Sequence, residues 1–271
     1  PNFDDAKWTI MRIVGGTIGR RRPPFLRYRV KKLPEGPQTP GVGSERGRSL
    51  PSLEFAVHPA TCGRILVVYP GLGATIDGES RALTSSHPLR YRRLAEKLQE
   101  ERVAAVVRLA NPGDGYHAGG ARAVDRLRRG LDEALRHARA LCGTHDPELL
   151  LMGFSAGAGA AAALAREYRP KRLLLVAPSE DAGRERIVAG LRKYPRRLCI
   201  VVGDEDEVVT REAGSRFDKI SPIARRKEVI YVPGCDHFFS SDEHDRFLEA
   251  TVMHVFALRN KSRPETDDDS R

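Results

Sequence analysis

The spacing of hydrophobic and polar positions changes along the chain near residue 64. Before that point, residues 25–33 alternate between apolar and polar side chains, as a strand with one exposed face does. Residues 53–58 predict a second strand, and the stretch between the two, residues 34–52, is a loop rich in Gly, Pro and Ser. The pair is expected to form an antiparallel hairpin. Residues 4–14 predict a short amphipathic helix ahead of it.

After residue 64, apolar runs of strand length alternate with longer segments of helical period. The predicted strands are residues 64–69, 103–109, a run beginning at 149, 172–177, 198–202 and 228–232. The predicted helices are residues 88–101, 123–141, a segment ending at 169, 180–193 and 242–258. Continuous apolar strands suit a sheet buried on both faces, so this alternation predicts an α/β protein with a mostly parallel sheet between two helical layers.

One of these strands leads directly into a turn of sequence Gly-Phe-Ser-Ala-Gly, residues 153–157, and then into an alanine-rich helical segment. A strand, a sharp turn and a helix in this order are the context of a nucleophile elbow, in which the central serine, here Ser155, stands exposed. The two flanking glycines remove side chains that would collide with the neighbouring strand and helix. The backbone N–H of Ala156 would then face an oxyanion forming at the serine.

A carboxylate and a histidine follow Ser155, each just after a predicted strand. Asp206 lies in Gly-Asp-Glu-Asp-Glu-Val-Val, residues 203–209, and His237 lies in Gly-Cys-Asp-His-Phe-Phe, residues 234–239. Ligands of parallel sheets bind beyond the carboxyl ends of the strands, where these residues are expected. A histidine can take the proton of a serine that attacks a carbonyl, and a carboxylate can hold the imidazole in the required tautomer.

These three segments, in this order, resemble the α/β-hydrolase superfamily over residues 26–258, and the last two are similar to those of small, capless dienelactone-hydrolase-like esterases. The resemblance implies an α/β-hydrolase fold with an antiparallel N-terminal hairpin and no large lid domain. It also implies a serine hydrolase that cleaves carboxylic esters through an acyl-enzyme, with Ser155, Asp206 and His237 as the catalytic triad.

Two other carboxylates compete with Asp206 for the role of the acid. In the resembling pattern the acid directly precedes Glu-Val-Val, which favours Asp206; Asp204 is the nearest competitor and Asp181 is less favoured. If the loop is extended, the side chains of Asp204 and Asp206 point to opposite sides. We expect Val208 and Val209 to pack toward the sheet and turn Asp206 inward, leaving Asp204 to cap the turn.

The second oxyanion donor is expected from the loop after residues 64–69. Residues 70–73 read Pro-Gly-Leu-Gly and take the place of the family's His-Gly-x-Gly segment. The resemblance therefore implies that the N–H of Leu72 is the second oxyanion donor, although Pro70 departs from the usual His. The connection of residues 178–197 has room for one helix, which predicts an open site bounded by residues 75–86 and 111–120. The residues expected to line the substrate site are Gly71, Gly73, Phe154, Tyr116, His117 and Phe238.

Composition narrows the choice of partners. The chain of 271 residues has a formal net charge of +10, but its arginines are spread along helix surfaces and aromatic residues make up only 6%. Nucleic acid is therefore not expected as a partner, whereas an anionic small-molecule ester or acyl substrate is favoured electrostatically. The sequence contains no metal-ligand spacing, phosphate-binding loop or dinucleotide fingerprint, so no metal or cofactor is expected.

Domain boundaries and cellular location follow from the remaining features. The sequence predicts an N-terminal arm (1–25), a hydrolase domain (26–260) and a disordered polar tail (261–271). Apolar runs stay short of the roughly 20 residues that cross a bilayer, the chain opens without a signal-peptide pattern, and four scattered cysteines favour free thiols in the cytoplasm. Because the N-terminal arm is basic, its contact with a membrane surface is a less favoured alternative.

Two alternatives for the function remain. One is a thioesterase or acyl-peptide hydrolase with the same triad, and the other is a non-catalytic binding protein of the same fold.

Overall fold

The computed structural model describes residues 53–76, 89–112 and 119–257, together with the backbone of the short strands at residues 9–10 and 26–30. The strands in these parts are β1 (Thr9–Ile10), β2 (Leu26–Val30), β3 (Leu53–His58), β4 (Arg64–Tyr69), β5 (Ala105–Leu109), β6 (Glu148–Phe154), β7 (Arg172–Val176), β8 (Arg197–Gly203) and β9 (Arg225–Val232). The helices are α1 (Arg90–Glu100), α2 (Gly119–Arg136), α3 (Ala138–Cys142), α4 (Ala156–Tyr168), α5 (Arg184–Leu191), α6 (Arg211–Ile220) and α7 (Asp242–Ala257).

All of these strands join one sheet, in the order β1-β2-β3-β5-β4-β6-β7-β8-β9. β2 and β3 form the predicted antiparallel pair, and β3 also runs antiparallel to β5. From β5 to β9 every pairing is parallel. The predicted mostly parallel sheet is therefore confirmed, and the carboxyl ends of β4 to β9 lie along one edge.

Helices cover both faces of the sheet, as predicted, because the apolar residues of the central strands alternate between two cores. Leu149 and Leu151 of β6 belong to a core that includes residues of α2, α4, α5 and α6. Leu150 and Met152 belong to the other core, which α1 and α7 complete. A strand buried on both faces needs apolar side chains at successive positions, which explains the unbroken apolar runs of the sequence.

The connection between β7 and β8 carries the short helix α5, and this helix packs on α4. A methyl group on Gly190 of α5 would lie 2.0 Å from the carbonyl oxygen of Ala162, so the two helices are as close as backbones allow. Between β7 and β8, where the structure describes every residue, the predicted absence of a large lid domain is confirmed, because α5 packs on α4 instead.

The predicted helix at residues 4–14 is wrong at the two positions that the structure describes. Thr9 and Ile10 are paired antiparallel with Arg29 and Tyr28 of β2. A helix of about ten residues is only marginally stable by itself. The edge strand of a sheet, by contrast, has unpaired backbone N–H and C=O groups to which an extended segment can bond. The other residues of this segment and the predicted tail at 261–271 lie outside the described residues.

Two further elements differ from the sequence prediction. The helix expected at residues 123–141 begins at Gly119 and is interrupted at His137, which separates α2 from α3. Helix α6 is missing from the prediction, because Gly214 and Ser215 are weak helix formers. Gly214 nevertheless lets α6 approach β8 closely, because a methyl group at this position would lie 2.7 Å from a methyl of Val202 in β8.

Candidate active site

Ser155 occupies the sharp turn between β6 and α4, with φ 52° and ψ −122°. A residue with a side chain rarely adopts a positive φ, and the strain persists only where the surroundings fix the backbone. The Ser155 N–H donates to the carbonyl of Val176 (2.9 Å), and its own carbonyl accepts from the N–H of Ser179 (3.2 Å). The end of the neighbouring strand β7 thus holds the strained turn in place.

Both flanking glycines are required by close backbone contacts. A methyl group on Gly157 would lie 2.2 Å from the carbonyl oxygen of Tyr69 and 2.4 Å from that of Pro70. A methyl group on Gly153 would lie 2.5 Å from the Cα of Ala158. The start of α4 is therefore pressed against the loop that follows β4.

His237 lies between the side chains of Ser155 and Asp206. Its Nε2 is 3.0 Å from Ser155 Oγ, and its Nδ1 is 2.8 Å from Asp206 Oδ2. Because a carboxylate only accepts, Nδ1 carries the proton and Nε2 is left to accept from the serine hydroxyl. His237 and Asp206 are each 5% exposed, whereas Ser155 is half-buried.

The acid loop, residues 203–209, directs Asp206 toward the histidine through its own backbone. Asp206 Oδ1 accepts from the N–H groups of Val208 (2.9 Å) and Val209 (2.6 Å), which leaves Oδ2 for His237. The competing carboxylates bind elsewhere: Asp204 accepts from the N–H of Gly234 and Asp181 from the hydroxyl of Ser179. Of the three candidates, Asp206 is the one in contact with the imidazole.

The expected packing of the two valines is only half right. Val209 is 4% exposed, but Val208 is 63% exposed and does not pack toward the sheet. The loop is a tight turn rather than an extended segment, so Asp206 is oriented by the two N–H groups and not by apolar side chains. Asp204 also differs from the expectation, because it bonds to the loop of His237 instead of capping its own turn.

Two aromatic rings contact the histidine. The Phe154 ring centroid lies 5.4 Å from that of His237, and Phe238 stands edge-on to the imidazole at 5.0 Å. Tyr91 and Phe239, to which the sequence interpretation assigns no role of their own, each contact Phe154 with ring centroids 6.4 Å apart. Burial raises the pKa of the Tyr91 hydroxyl, which therefore stays neutral. These rings form an apolar support beneath the imidazole.

The loop after β4, residues 70–76, lies directly against the serine. A methyl group on Gly71 would be 3.2 Å from Ser155 Cβ, and Gly73 has a φ of 81° that favours glycine. Leu72 lies between these two glycines in the turn. The N–H of Ala156 is the first of α4, and such groups have no partner within their own helix. The segments predicted to carry the two oxyanion donors therefore both adjoin Ser155.

Asn111, directly after β5, anchors this loop and is fully buried. Its Nδ2 donates to the carbonyl of Pro70 (3.1 Å), and its backbone N–H donates to that of Ala74 (2.8 Å). Arg108 donates to the carbonyl of Ile76 (2.7 Å). The sequence interpretation expects residues 111–120 to bound the site but gives Asn111 no role of its own, because Asn-Pro after a strand is too common a pattern to reveal it.

His58 is a buried histidine near the amino ends of the parallel strands, away from the end of the sheet where Ser155 lies. Burial, reinforced by the charge of Arg108, lowers its pKa to about 3. Its Nε2 accepts from Arg108 Nε at 3.1 Å, so the neutral ring serves as a hydrogen-bond acceptor.

Some of the predicted site lies beyond the parts that the structure describes. Tyr116 and His117 lie outside the described residues, as do 77–86 and 113–118, which are most of the two segments expected to bound the site. Within residues 53–76, 89–112 and 119–257, no group of His, Cys, Asp or Glu side chains could hold a metal ion. No helix in the same ranges is long and apolar enough to cross a bilayer.

The fold is similar to that of solved α/β serine hydrolases, although no protein-family model and no curated protein matches the sequence. An α/β serine hydrolase homologue from Coxiella burnetii is 22% identical with a TM-score of 0.56, over 75% of this chain and 91% of that one. A lidless α/β serine hydrolase from Xanthomonas campestris is 22% identical with a TM-score of 0.54, over 76% and 88%. A dienelactone hydrolase from Anabaena variabilis is 17% identical with a TM-score of 0.60, over 77% and 93%. The chain therefore has the α/β-hydrolase fold that the sequence predicts.

Proposed function

We propose that this chain is a serine hydrolase that cleaves carboxylic esters through an acyl-enzyme. The observation that carries the proposal is the continuous hydrogen-bonded series from Ser155 through His237 to Asp206. The three residues follow the carboxyl ends of β6, β9 and β8, where ligands of parallel sheets bind. Packing alone does not require these three residue types to meet, nor does it require the serine to lie on a strained turn.

Each group has a defined task in the proposed reaction. Ser155 Oγ attacks the acyl carbonyl while its proton passes to His237 Nε2, and Asp206 stabilises the imidazolium through Nδ1–H. The N–H groups of Ala156 and Leu72 donate to the oxyanion. The tetrahedral intermediate collapses, the leaving alcohol takes the proton from Nε2, and the acyl group remains on Ser155. Water then repeats the sequence and releases the acid.

The ester is the proposed substrate because one similar structure is a dienelactone hydrolase, a lactone being a cyclic ester. The same groups would also cleave thioesters and amides. A matched set of substrates with one acyl chain and an oxygen, sulfur or nitrogen leaving group tests this point. We expect the highest kcat/KM for the oxygen ester, and a preference for the thioester or the amide would change the substrate class but keep the mechanism.

A fluorophosphonate probe tests the nucleophile directly, because it reacts with an activated serine. We expect wild-type protein to be labelled and Ser155→Ala to remain unlabelled. Ser179→Ala is the matched control, since its hydroxyl contacts Asp181 and lies just beyond the end of β7. If wild-type protein stays unlabelled and hydrolyses no ester, the chain is a binding protein of this fold and the proposed function fails.

We infer a reducing, cytoplasmic setting from the four cysteines, which are all free. Burial raises the pKa values of Cys199 and Cys235 to about 12, so these thiols are unreactive.

The proposed partner is a small-molecule ester, and the net charge of +10 favours an anionic one.

A further inference from the structure

Arg90, the first residue of α1, lies beneath the histidine loop, which we define as residues 234–240. Its Nη1 donates to the carbonyl of Phe238 (2.8 Å), and its Nη2 donates to the carbonyl of Phe239 (2.7 Å). The side chain is only 7% exposed. The carbonyl groups of the two residues directly after His237 are therefore held by one planar guanidinium, which presents paired donors in a fixed geometry.

The histidine loop needs such an anchor because its backbone is strained. Phe239 has a φ of 53°, which side chains rarely tolerate. Inside the loop, the N–H of Phe239 donates to the carbonyl of Asp236 (3.3 Å), and the N–H of Ser240 donates to Asp236 Oδ1 (2.8 Å). These bonds occupy N–H groups, whereas the carbonyls of Phe238 and Phe239 both turn toward α1 and require donors there.

The buried charge of Arg90 is balanced by Asp245, in the first turn of α7. Arg90 Nε donates to Asp245 Oδ1, and Arg93 donates to the other carboxylate oxygen. The side chain of Asp245 is 10% exposed, whereas that of Arg93 is 45% exposed. A buried cation is tolerated when it is paired and its donors are used. The guanidinium thus links α1, the histidine loop and α7.

We propose that Arg90 is a positioning residue that sets the location of the His237 ring through the carbonyl groups of the two residues that follow it. The inference rests on the proposed function, because it concerns the geometry of proton transfer. His237 must keep Nε2 at 3.0 Å from Ser155 Oγ and Nδ1 at 2.8 Å from Asp206. A displacement of about 1 Å in such an arrangement can cost about 100-fold in rate.

The test compares two arginines that share Asp245. Arg90→Ala removes the donors to both carbonyls, and Arg93→Ala removes an ion pair with the same carboxylate without touching the loop. For Arg90→Ala we expect kcat for a p-nitrophenyl ester to fall roughly 10- to 100-fold, with KM changed less than about twofold, because the lost geometry matters in the transition state. For Arg93→Ala we expect kcat within about twofold of wild type.

Chemical rescue separates positioning from a general loss of stability. Guanidinium at low millimolar concentration should restore part of the kcat of Arg90→Ala, whereas sodium chloride at equal ionic strength should not. Arg90→Lys retains the charge beside Asp245 but lacks the paired donors, so we expect a folded protein with an intermediate kcat. Thermal unfolding of each variant sets an assay temperature well below every midpoint.

A second readout does not need turnover. The Nδ1 proton of His237, shared with Asp206, should give a low-field proton NMR signal in wild type and Arg93→Ala, and a shifted or absent signal in Arg90→Ala. Unchanged kcat and an unchanged signal in Arg90→Ala would overturn the proposal. So would equal losses in Arg90→Ala and Arg93→Ala, or failure of both Arg90 variants to fold, which would assign Arg90 to stability. A wild-type protein without turnover or labelling would instead overturn the proposed function, and the NMR comparison would still decide the role of Arg90.

Discussion

Asp204 and Gly234 join the acid loop to the histidine loop: Asp204 Oδ1 accepts the Gly234 N–H at 2.6 Å, across 30 residues of chain. The carboxylate two positions further on, Asp206, bonds to His237. Two aspartates of one loop therefore both reach the histidine loop, one at its backbone and one at its imidazole. Neighbouring carboxylates of the same type have separable roles, and substitutions can separate them.

Asp206→Asn is expected to lower kcat by roughly 10⁴, because an amide in this place supports the wrong imidazole tautomer. The fold should survive, since the Asn side-chain oxygen can still accept from the N–H groups of Val208 and Val209. Steady-state kinetics with a p-nitrophenyl ester, together with circular dichroism, would check both statements.

Asp204→Asn is the matched control for that variant. It keeps an oxygen for the Gly234 N–H and loses only charge, and Asp204 is exposed, so we expect kcat within about threefold and a stability loss of at most about 1 kcal/mol. If Asp204→Asn were the severely impaired variant and Asp206→Asn the active one, the assignment of the acid would be wrong while the hydrolase proposal survived.

Ser155→Ala is expected to remove hydrolysis, with a loss on the order of 10⁴–10⁶ in kcat. Loss of the hydroxyl also relieves no backbone strain, because alanine at a φ of 52° is as unfavourable as serine. The thermal midpoint should therefore change little while turnover disappears. Substantial turnover by purified Ser155→Ala protein would exclude Ser155 as the nucleophile.

His58 makes stability depend on pH in a predictable direction. Its pKa is about 3 in the folded protein, below its ordinary value of 6.5, owing to burial and then to the charges of Arg108 and Arg92. Below pH 6.5 the unfolded chain binds a proton at this histidine that the folded protein does not bind. The free energy of unfolding therefore decreases as the pH falls from 6.5 toward 3. The slope is about 1.4 kcal/mol per pH unit for one proton.

His58→Gln tests this dependence, since a glutamine oxygen can accept from Arg108 Nε without titrating. Between pH 6.5 and 5, where most carboxylates are still ionised, the thermal midpoint of wild-type protein should fall more steeply than that of His58→Gln. Equal slopes for the two proteins would show that His58 is protonated in the fold or already neutral in the unfolded chain.

The core of the candidate site can be predicted from the sequence because each part is local and the three segments resemble those of a known superfamily. Ser155, Asp206 and His237 are each marked by a strand and a turn of recognisable composition, and a parallel sheet brings the ends of its strands to one edge. The parts that support them depend on tertiary contacts. Arg90 looks like an ordinary residue at the start of a charged helix, and its partners Phe238 and Asp245 lie 148 and 155 residues away. Helix α6 is absent from the sequence prediction because its helix propensity is low and its packing on β8 decides its structure.

Asn111 provides the last prediction, which concerns the loop beside Ser155. Its amide donates to the Pro70 carbonyl and thereby fixes the peptide that precedes Gly71 and Leu72. Asn111→Asp keeps the shape and an oxygen for Arg126, but it turns a donor toward Pro70 into an acceptor. We expect kcat to fall roughly 10- to 100-fold with little change in KM, because the proposed donation from the Leu72 N–H to an oxyanion would act in the transition state.

A buried amide elsewhere in the sheet supplies the control for this variant. Gln99 is 6% exposed and donates to the carbonyl of Pro59 (2.7 Å), at the edge opposite the site. Gln99→Glu makes the same donor-to-acceptor change and should lower the thermal midpoint comparably, since each variant leaves a buried carbonyl without its donor. Its kcat should stay within about twofold of wild type. If Gln99→Glu lost as much kcat as Asn111→Asp, the effect would be one of global stability, and Asn111 would have no specific part in shaping the loop beside the serine.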